Sequence, residues 1–542
     1  MHNKQKLQKH SWLDHAVVYQ IYPRSFKDTT HNGVGDLQGI IERLDYLNDG
    51  QGGGLGVDAI WLSPIFCSPM IDFGYDISDH RNIDPLFGNL EIFDELVAQV
   101  HKRGMKLMLD FVPNHTSSSH PWFVESKSSV NNPKRDWYVW HDPGPDGLAP
   151  NNWLSVFGGS AWTFDEQTGQ YYMHTFLSAQ PDLNWHNPEV KKEMFGIMRW
   201  WLERGVDGFR VDAVPHLFED KKLRDNPPNP NYVPGQDDEY EAQYHVYTNN
   251  LPETLALIKE MGALLDEHNA AMINEVRLGQ RGDHLRDFYE ACGDNRTCQP
   301  FNFRLLNAPW QAQTYREIID KLEKLLWPDC SANWVFGNHD MSRLASRLDR
   351  PRARLVAVLQ MTLRGTPFIY YGEELGMIDG GLPPKRDDQR GKKTPSRDPA
   401  RTPMQWDASK NAGFSDTEPW LPVGIDYKEY NTASELSDPD SFLNLYKVLI
   451  GLRKTSPVLL DGKYESLETG SDQVLGFTRN LDKKKILVLL NFSKQPQVLS
   501  LPQLGRPGLL CATEPSLRPE QEIDCQKLSL NPLESLVLDL SL

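Results

Sequence analysis

The chain is expected to fold as an α/β protein, a (β/α)₈ barrel with an insertion after its third strand and an antiparallel β domain at its C-terminal end. Three observations lead there. Apolar, β-branched runs alternate with helix-like segments up to about residue 460, the pattern of βα units that build a parallel sheet. Four of these runs end in polar clusters: Asp110-Phe-Val-Pro-Asn-His115, Gly208-Phe-Arg-Val-Asp212, Ile273-Asn-Glu275 and Phe336-Gly-Asn-His-Asp340. A buried parallel strand that delivers its last residue to the mouth of a barrel reads this way. From Asp461 onward the helical period gives way to short alternating runs such as Ile486-Leu-Val-Leu-Leu-Asn491 and Ser535-Leu-Val-Leu-Asp-Leu540, which signal antiparallel strands.

Eight strands are expected, over 17–22, 59–62, 107–112, 208–211, 271–274, 301–303, 334–337 and 367–371. Between His115 and Trp185 lies a segment rich in Trp, Asn, Pro and Gly, too long for an ordinary βα loop. It is read as an inserted domain over 115–185. The barrel then takes 1–114 and 186–460, and the C-terminal β domain 461–542. The Pro-rich stretch Arg224-Asp-Asn-Pro-Pro-Asn-Pro-Asn-Tyr-Val-Pro-Gly235 cannot be regular helix. It is expected to be an ordered excursion after the fourth strand, placed to roof a pocket.

Size and charge narrow the function. At 542 residues the chain exceeds one compact core. A formal net charge of −17 argues against nucleic acid or an anionic membrane as partner, because phosphate binding needs clustered Lys and Arg. A neutral polar small molecule fits better. The segment Met1 to His10 is basic but leads into Ser-Trp-Leu-Asp without the apolar core of a signal peptide, and no apolar run is long enough to span a bilayer. The six cysteines (Cys67, Cys292, Cys298, Cys330, Cys511, Cys525) have no CxxC spacing, so a zinc site is not expected. They read as mostly reduced thiols of a cytoplasmic protein, with Cys292 and Cys298 the one close pair open to bridging.

The order and wording of the four strand ends resemble the α-amylase family, glycoside hydrolase family 13, in its α-glucosidase and oligo-1,6-glucosidase branch. The resemblance extends to Gln180-Pro-Asp-Leu-Asn184, Gly56-Val-Asp-Ala-Ile-Trp-Leu-Ser-Pro64 and Gly365-Thr-Pro-Phe-Ile-Tyr-Tyr-Gly-Glu-Glu374. It implies a TIM barrel whose insertion is domain B and whose C-terminal domain is a β-sandwich. It also implies cleavage of an acetal, which needs a carboxylate on one face of the sugar and a carboxylic acid at the leaving oxygen.

Asp212 and Glu275 are the candidates for these two roles. Asp212 follows Arg210 at a spacing that puts both side chains on one side of a strand, and a guanidinium beside a carboxylate favours the ionised form that a nucleophile needs. Glu275 is expected to act as the acid, kept protonated by burial and neighbouring negative charge. By resemblance Asp340 joins them and binds sugar hydroxyls, and His115 and His339 donate hydrogen bonds that tighten as charge develops. Asp72 and Tyr75, in Pro69-Met-Ile-Asp-Phe-Gly-Tyr-Asp76, match the positions that grip the terminal glucose, Tyr75 as a stacking platform. Arg401 matches the arginine that reaches that glucose, with Arg397 as the alternative. Asp110 is open to a structural or a supporting role, and Trp200 and Trp201 read as core.

Asp28-Thr-Thr-His-Asn-Gly-Val-Gly-Asp36 resembles a calcium loop, although Thr30 and Asn32 stand where relatives carry stronger ligands. Asp28, Asn32, Asp36 and the Val34 carbonyl would be the ligands of a structural Ca²⁺; the alternative is a well-made turn. No organic cofactor is implied. The expected activity is exo-acting, retaining hydrolysis of α-1,4-linked glucose from short α-glucosides such as maltose. Transglucosylation is the same-fold rival, as a trehalose- or isomaltulose-forming enzyme, with an oligo-1,6-glucosidase as a further alternative. A transporter heavy chain would need a membrane anchor and a damaged catalytic set, and a plain binding module would not need three convergent carboxylates.

Overall fold

A computed structural model describes residues 11–276, 285–292, 298–326, 330–381, 396–517 and 523–540. Eight strands form one parallel sheet: β1 Val18–Ile21, β2 Ala59–Leu62, β3 Lys106–Phe111, β4 Gly208–Val211, β5 Ala271–Asn274, β6 Cys298–Pro300, β7 Asn333–Val335 and β8 Thr366–Tyr370. Their order is β6-β5-β4-β3-β2-β1-β8-β7, so the sheet curls until β6 and β7 face each other. Asn333 closes that seam. Its Nδ2 donates to the Pro300 carbonyl at 2.7 Å and its Oδ1 accepts from the Asn302 N–H at 2.9 Å.

Seven of the eight strands lie where the alternation of apolar runs places them. The sixth does not: it spans Cys298–Pro300 instead of 301–303. Phe301 and Phe303 carry the apolar signal but sit just past the strand, packed on Trp61 and Phe368 inside the barrel. Proline is tolerated in strands mainly at an edge, and Pro300 lies on the strand that borders the open seam.

The barrel interior is filled by alternate strand residues, among them Val18, Trp61, Met108, Ile273, Val335 and Phe368, while the intervening residues pack outward under the helices. The helices begin where polar caps allow. Asn89 caps Leu90–Lys102, Asn187 caps Pro188–Glu203, and Asp349 caps Arg350–Thr362, each side chain accepting a first-turn N–H that would otherwise be orphaned. Trp201 is fully buried and Trp200 packs partly buried beside it, as core.

The insertion carries the helix Pro121–Ser128 and a three-stranded antiparallel sheet of Trp140–His141, Gln170–Met173 and Trp162–Asp165, around Trp153, Trp162 and Met173. Its two ends are stitched together. His115 and Asp182 form an antiparallel bridge, the Leu183 N–H donates to the Asn114 carbonyl at 2.9 Å, and Asn114 Nδ2 donates to Asp182 Oδ1 at 2.9 Å. The Pro-rich excursion is irregular and packs on this insertion. Trp153 Nε1 donates to the Arg224 carbonyl and Asn152 Nδ2 to the Asn226 carbonyl, each at 2.9 Å.

The C-terminal domain has a five-stranded antiparallel sheet and a two-stranded one, Gln497–Leu499 with Leu528–Leu530. In Lys484–Asn491 the period of two divides the residues between two cores. Ile486, Val488 and Leu490 join the main core, Leu487 and Leu489 the smaller C-terminal one. Cys292 and Cys298 form a disulfide; Cys67, Cys511 and Cys525 are free thiols. No described helix is long and apolar enough to cross a membrane.

Candidate active site

Adjacent registers bring the site together. Asp110 on β3 and Ile273 on β5 both pair with Arg210 on β4, so the ends of three neighbouring strands converge on one guanidinium. Arg210 Nη1 donates to Asp110 Oδ1 at 2.6 Å and to Asp212 Oδ1 at 2.7 Å, and Nη2 lies 2.7 Å from Glu275 Oε2. All four side chains are largely buried. Burying three carboxylates is tolerable only because this cation compensates them; removing one partner of a buried pair costs about 3 to 5 kcal/mol.

Burial raises the Asp212 carboxyl well above the usual range; Arg210 opposes this, while Glu275 and Asp110 add to it. Asp212 and Glu275 are held side by side on this guanidinium, and a second carboxyl at close range disfavours the ionised form of Asp212 further. Asp110 is pushed up to about 6 by burial, against Arg210 and Tyr75. Asp110 is thus a supporting residue that holds Arg210 and Tyr75.

Asp212 and Glu275 open onto a cavity of about 170 Å³ that is also lined by Asp72, Tyr75, His115, Ala213, Asp340 and Arg397. On its far wall Arg397 Nη2 donates to Asp72 Oδ1 at 2.5 Å and Nη1 to Asp340 Oδ1 at 3.1 Å. Arg401 stands one step behind. It is fully buried and does not line the cavity, and its Nε and Nη2 donate to the His339 carbonyl and to Asp340 Oδ1 at 2.7 and 3.0 Å. Of the two arginines weighed from sequence, the structure puts Arg397 on the wall, because the turn Asp398–Arg401 carries Arg401 inward.

The histidines are neutral. Burial lowers His115 to about 4 and His339 well below its ordinary value. His115 Nε2 lies 3.2 Å from the Tyr75 carbonyl and 3.0 Å from Gln180 Nε2, and that same amide donates to Asp72 Oδ2 at 3.1 Å. Tyr75 stacks on the His339 ring at 5.3 Å, its hydroxyl 2.7 Å from Nε2. The aromatic lining that sequence did not reveal is Phe157 and Phe176 from the insertion; Pro215, His216 and Met341 complete it. In the sequence these residues look like core.

The Asp28 to Asp36 loop is drawn together by its own side chains. Asp28 accepts from the N–H groups of Thr30, His31 and Gly33 and from Ser415 Oγ. Asp36 accepts from Thr29 and caps a helix at Gly39, and Asn32 Oδ1 accepts from the Val34 N–H. The side-chain oxygens of Asp28, Asn32 and Asp36 accept from these N–H and O–H donors. The loop is a hydrogen-bonded turn.

Residues 20–462 match the family model for the alpha amylase catalytic domain. The chain belongs to the alpha-amylase family. It is 44% identical to a probable alpha-glucosidase of Rhizobium meliloti (strain 1021), over 91% of each chain. It is 36% identical to the oligo-1,6-glucosidase of Parageobacillus thermoglucosidasius, over 98% of this chain and 99% of that one. A solved alpha-glucosyl transfer enzyme superposes with a TM-score of 0.90 at 39% identity, covering 98% of this chain and all of that one. The protein is a glycoside hydrolase.

Proposed function

We propose that the enzyme is an exo-acting, retaining α-glucosidase that releases terminal, non-reducing, α-1,4-linked glucose from short α-glucosides such as maltose. The observation that carries this reading is the pairing of Asp212 with Glu275 on one guanidinium, facing the Asp72–Arg397 ion pair across one small cavity. The ion pair supports a terminal sugar held by charged hydrogen bonds. The carboxyl pair supports retention, since two carboxyls bound to one guanidinium lie closer together than those of inverting enzymes, which leave room for a water between them.

In the first step Asp212 attacks the anomeric carbon, the glycosidic C–O bond breaks, and a proton passes from Glu275 to the leaving oxygen. Glu275 Oε2 accepts from Arg210 and from the Ala213 N–H, which leaves Oε1 to carry that proton. In the second step Glu275 takes a proton from water, and the water displaces Asp212. Asp340, which lines the cavity, binds ring hydroxyls, and His339, buried behind Tyr75, does not reach it. Proton NMR in the first minutes of maltose hydrolysis tests the reading: α-glucose appears first, and an initial β-anomer overturns it.

Transglucosylation is the second outcome of the same glucosyl-enzyme, reached when a sugar hydroxyl replaces water. Phe157, Phe176 and His216 supply a partly apolar wall to receive such an acceptor, and the similarity to an alpha-glucosyl transfer enzyme supports it. Following free glucose against new disaccharides over time separates the two. A cytoplasmic location belongs to this reading, supported by the free thiols of Cys67, Cys511 and Cys525.

A further inference from the structure

His339 is flanked by two aromatic rings nearly parallel to its own, Tyr75 at 5.3 Å and 7° and Tyr22 at 6.1 Å and 15°. What remains open is which ring nitrogen carries the proton, and that is set by the partner of the other nitrogen. On the Nδ1 side stands Gln20 of β1, buried to 1% exposure, whose Nε2 lies 2.9 Å from Nδ1 and donates to Ser63 Oγ at 3.2 Å. Both amide protons are thereby used, and among the described residues Gln20 Oε1 has no partner.

We propose that Gln20 is a positioning residue that donates to Nδ1 of His339 and thereby keeps the proton on Nε2, giving one direction to the chain Gln20, His339, Tyr75, Asp110. With hydrogen on Nε2, His339 donates to the Tyr75 hydroxyl at 2.7 Å, and that hydroxyl is committed to donate to Asp110 Oδ2 at 2.9 Å. Asp110 then acts as an acceptor toward both Tyr75 and Arg210, the cation that also holds Asp212 and Glu275. Nε2–H also points toward Asp340 Oδ2 at 3.3 Å. With the other tautomer Nε2 would accept from Tyr75, and Asp110 would lose its second donor. The charged groups around the ring are Asp340, Arg401, Arg210 and Arg397; none of them supplies a partner to Nδ1.

This inference rests on the reading of Asp212 and Glu275 given above, but its test does not. The ¹⁵N spectrum of histidine-labelled enzyme, with His339 assigned by loss of its signals in His339→Asn, is expected to show Nε2 protonated and Nδ1 bare. Protonation on Nδ1 in the unmodified enzyme overturns the proposal whatever the activity. The second arm is Gln20→Glu, which keeps the shape but offers Nδ1 an ionised acceptor. It is expected to move the proton to Nδ1 and lower kcat on 4-nitrophenyl α-glucoside about 10- to 100-fold, with KM little changed. Activity relative to the unmodified enzyme recovers as pH falls, because the protonated carboxyl can again donate to Nδ1. A constant ratio across pH, or an unchanged kcat, overturns the proposal. If Gln20→Glu does not fold, Gln20→Met takes its place: loss of the fixed Nε2–H signature supports the proposal, and an unchanged spectrum and kcat overturn it.

Discussion

The backbone N–H of Ala213 donates to Glu275 Oε2 at 3.1 Å, so the residue that follows one catalytic carboxylate holds the other. Ala213 does this from a left-handed conformation, φ 48°, and it lines the cavity directly beyond Asp212.

Ala213 is therefore a sensitive place for linkage preference. The unmodified enzyme is expected to prefer maltose over isomaltose, and Ala213→Val to lower kcat/KM for maltose relative to isomaltose by about 1 to 3 kcal/mol, the range that added methyl groups command in a pocket. The left-handed backbone adds a cost for a β-branched residue, so Tm should fall as well. Kinetics on both sugars decide it, and an unchanged ratio removes Ala213 from the control of linkage.

Asp212→Asn is expected to lower kcat on the order of 10⁴-fold with the fold intact. For Glu275→Gln, disaccharides should lose far more than 4-nitrophenyl α-glucoside, whose leaving group departs without a proton. Circular dichroism and kinetics on both substrates check the pair, and equal losses would exclude Glu275 as the acid.

Arg397 and Arg401 should part company on substitution. Arg397→Gln leaves Asp72 buried on the cavity wall without its cation and is expected to lower Tm and also to cost on the order of 2 to 5 kcal/mol in kcat/KM for maltose, a loss of activity that Arg401→Gln should not match. Arg401→Gln strips hydrogen bonds from the interior, so Tm should drop. The reverse result would return the sugar contact to Arg401.

The stabilising contribution of three buried glutamates should be lost as pH rises from about 5 to 8. Burial pushes the carboxyl of Glu373 up to about 8, and those of Glu219 and Glu435 to about the same value. The unfolded chain gives up these protons near the ordinary glutamate value while the native state keeps them, so between the two values the native state binds more protons and each rise in pH favours unfolding. Each such group contributes at most about 1.4 kcal/mol per pH unit. Glu373→Gln should flatten part of the slope of Tm against pH, as differential scanning calorimetry can show; an unaltered slope means that Glu373 is ionised in the native protein.

The barrel and its chemical centre were legible because parallel strands write long apolar runs that end in the residues they deliver. Asp110, Asp212, Glu275 and Asp340 could be read in this way. The sixth strand could not, since Cys298-Gln-Pro300 has neither the branching nor the length of a strand and is held in place by its neighbour and by Asn333. Arg397 and Arg401 were inseparable for a different reason. They are four residues apart, and only the inward turn between them decides which one meets the cavity. Phe157 and Phe176 have no period to betray them, because an irregular insertion carries them there.

The stitching of His115 to Asp182 and of Asn114 to Leu183 makes the insertion a closed excursion from the barrel. Its middle can lengthen, shorten or change sequence without moving β3 or β4, provided both anchors persist. Asp212 and Glu275 belong to the frame, whereas Phe157 and Phe176 belong to the excursion. Lineages of this architecture can therefore drift in which acceptor or leaving group they tolerate while the bond-breaking apparatus stays still, and a graft cut just inside the anchors should exchange one such tolerance for another.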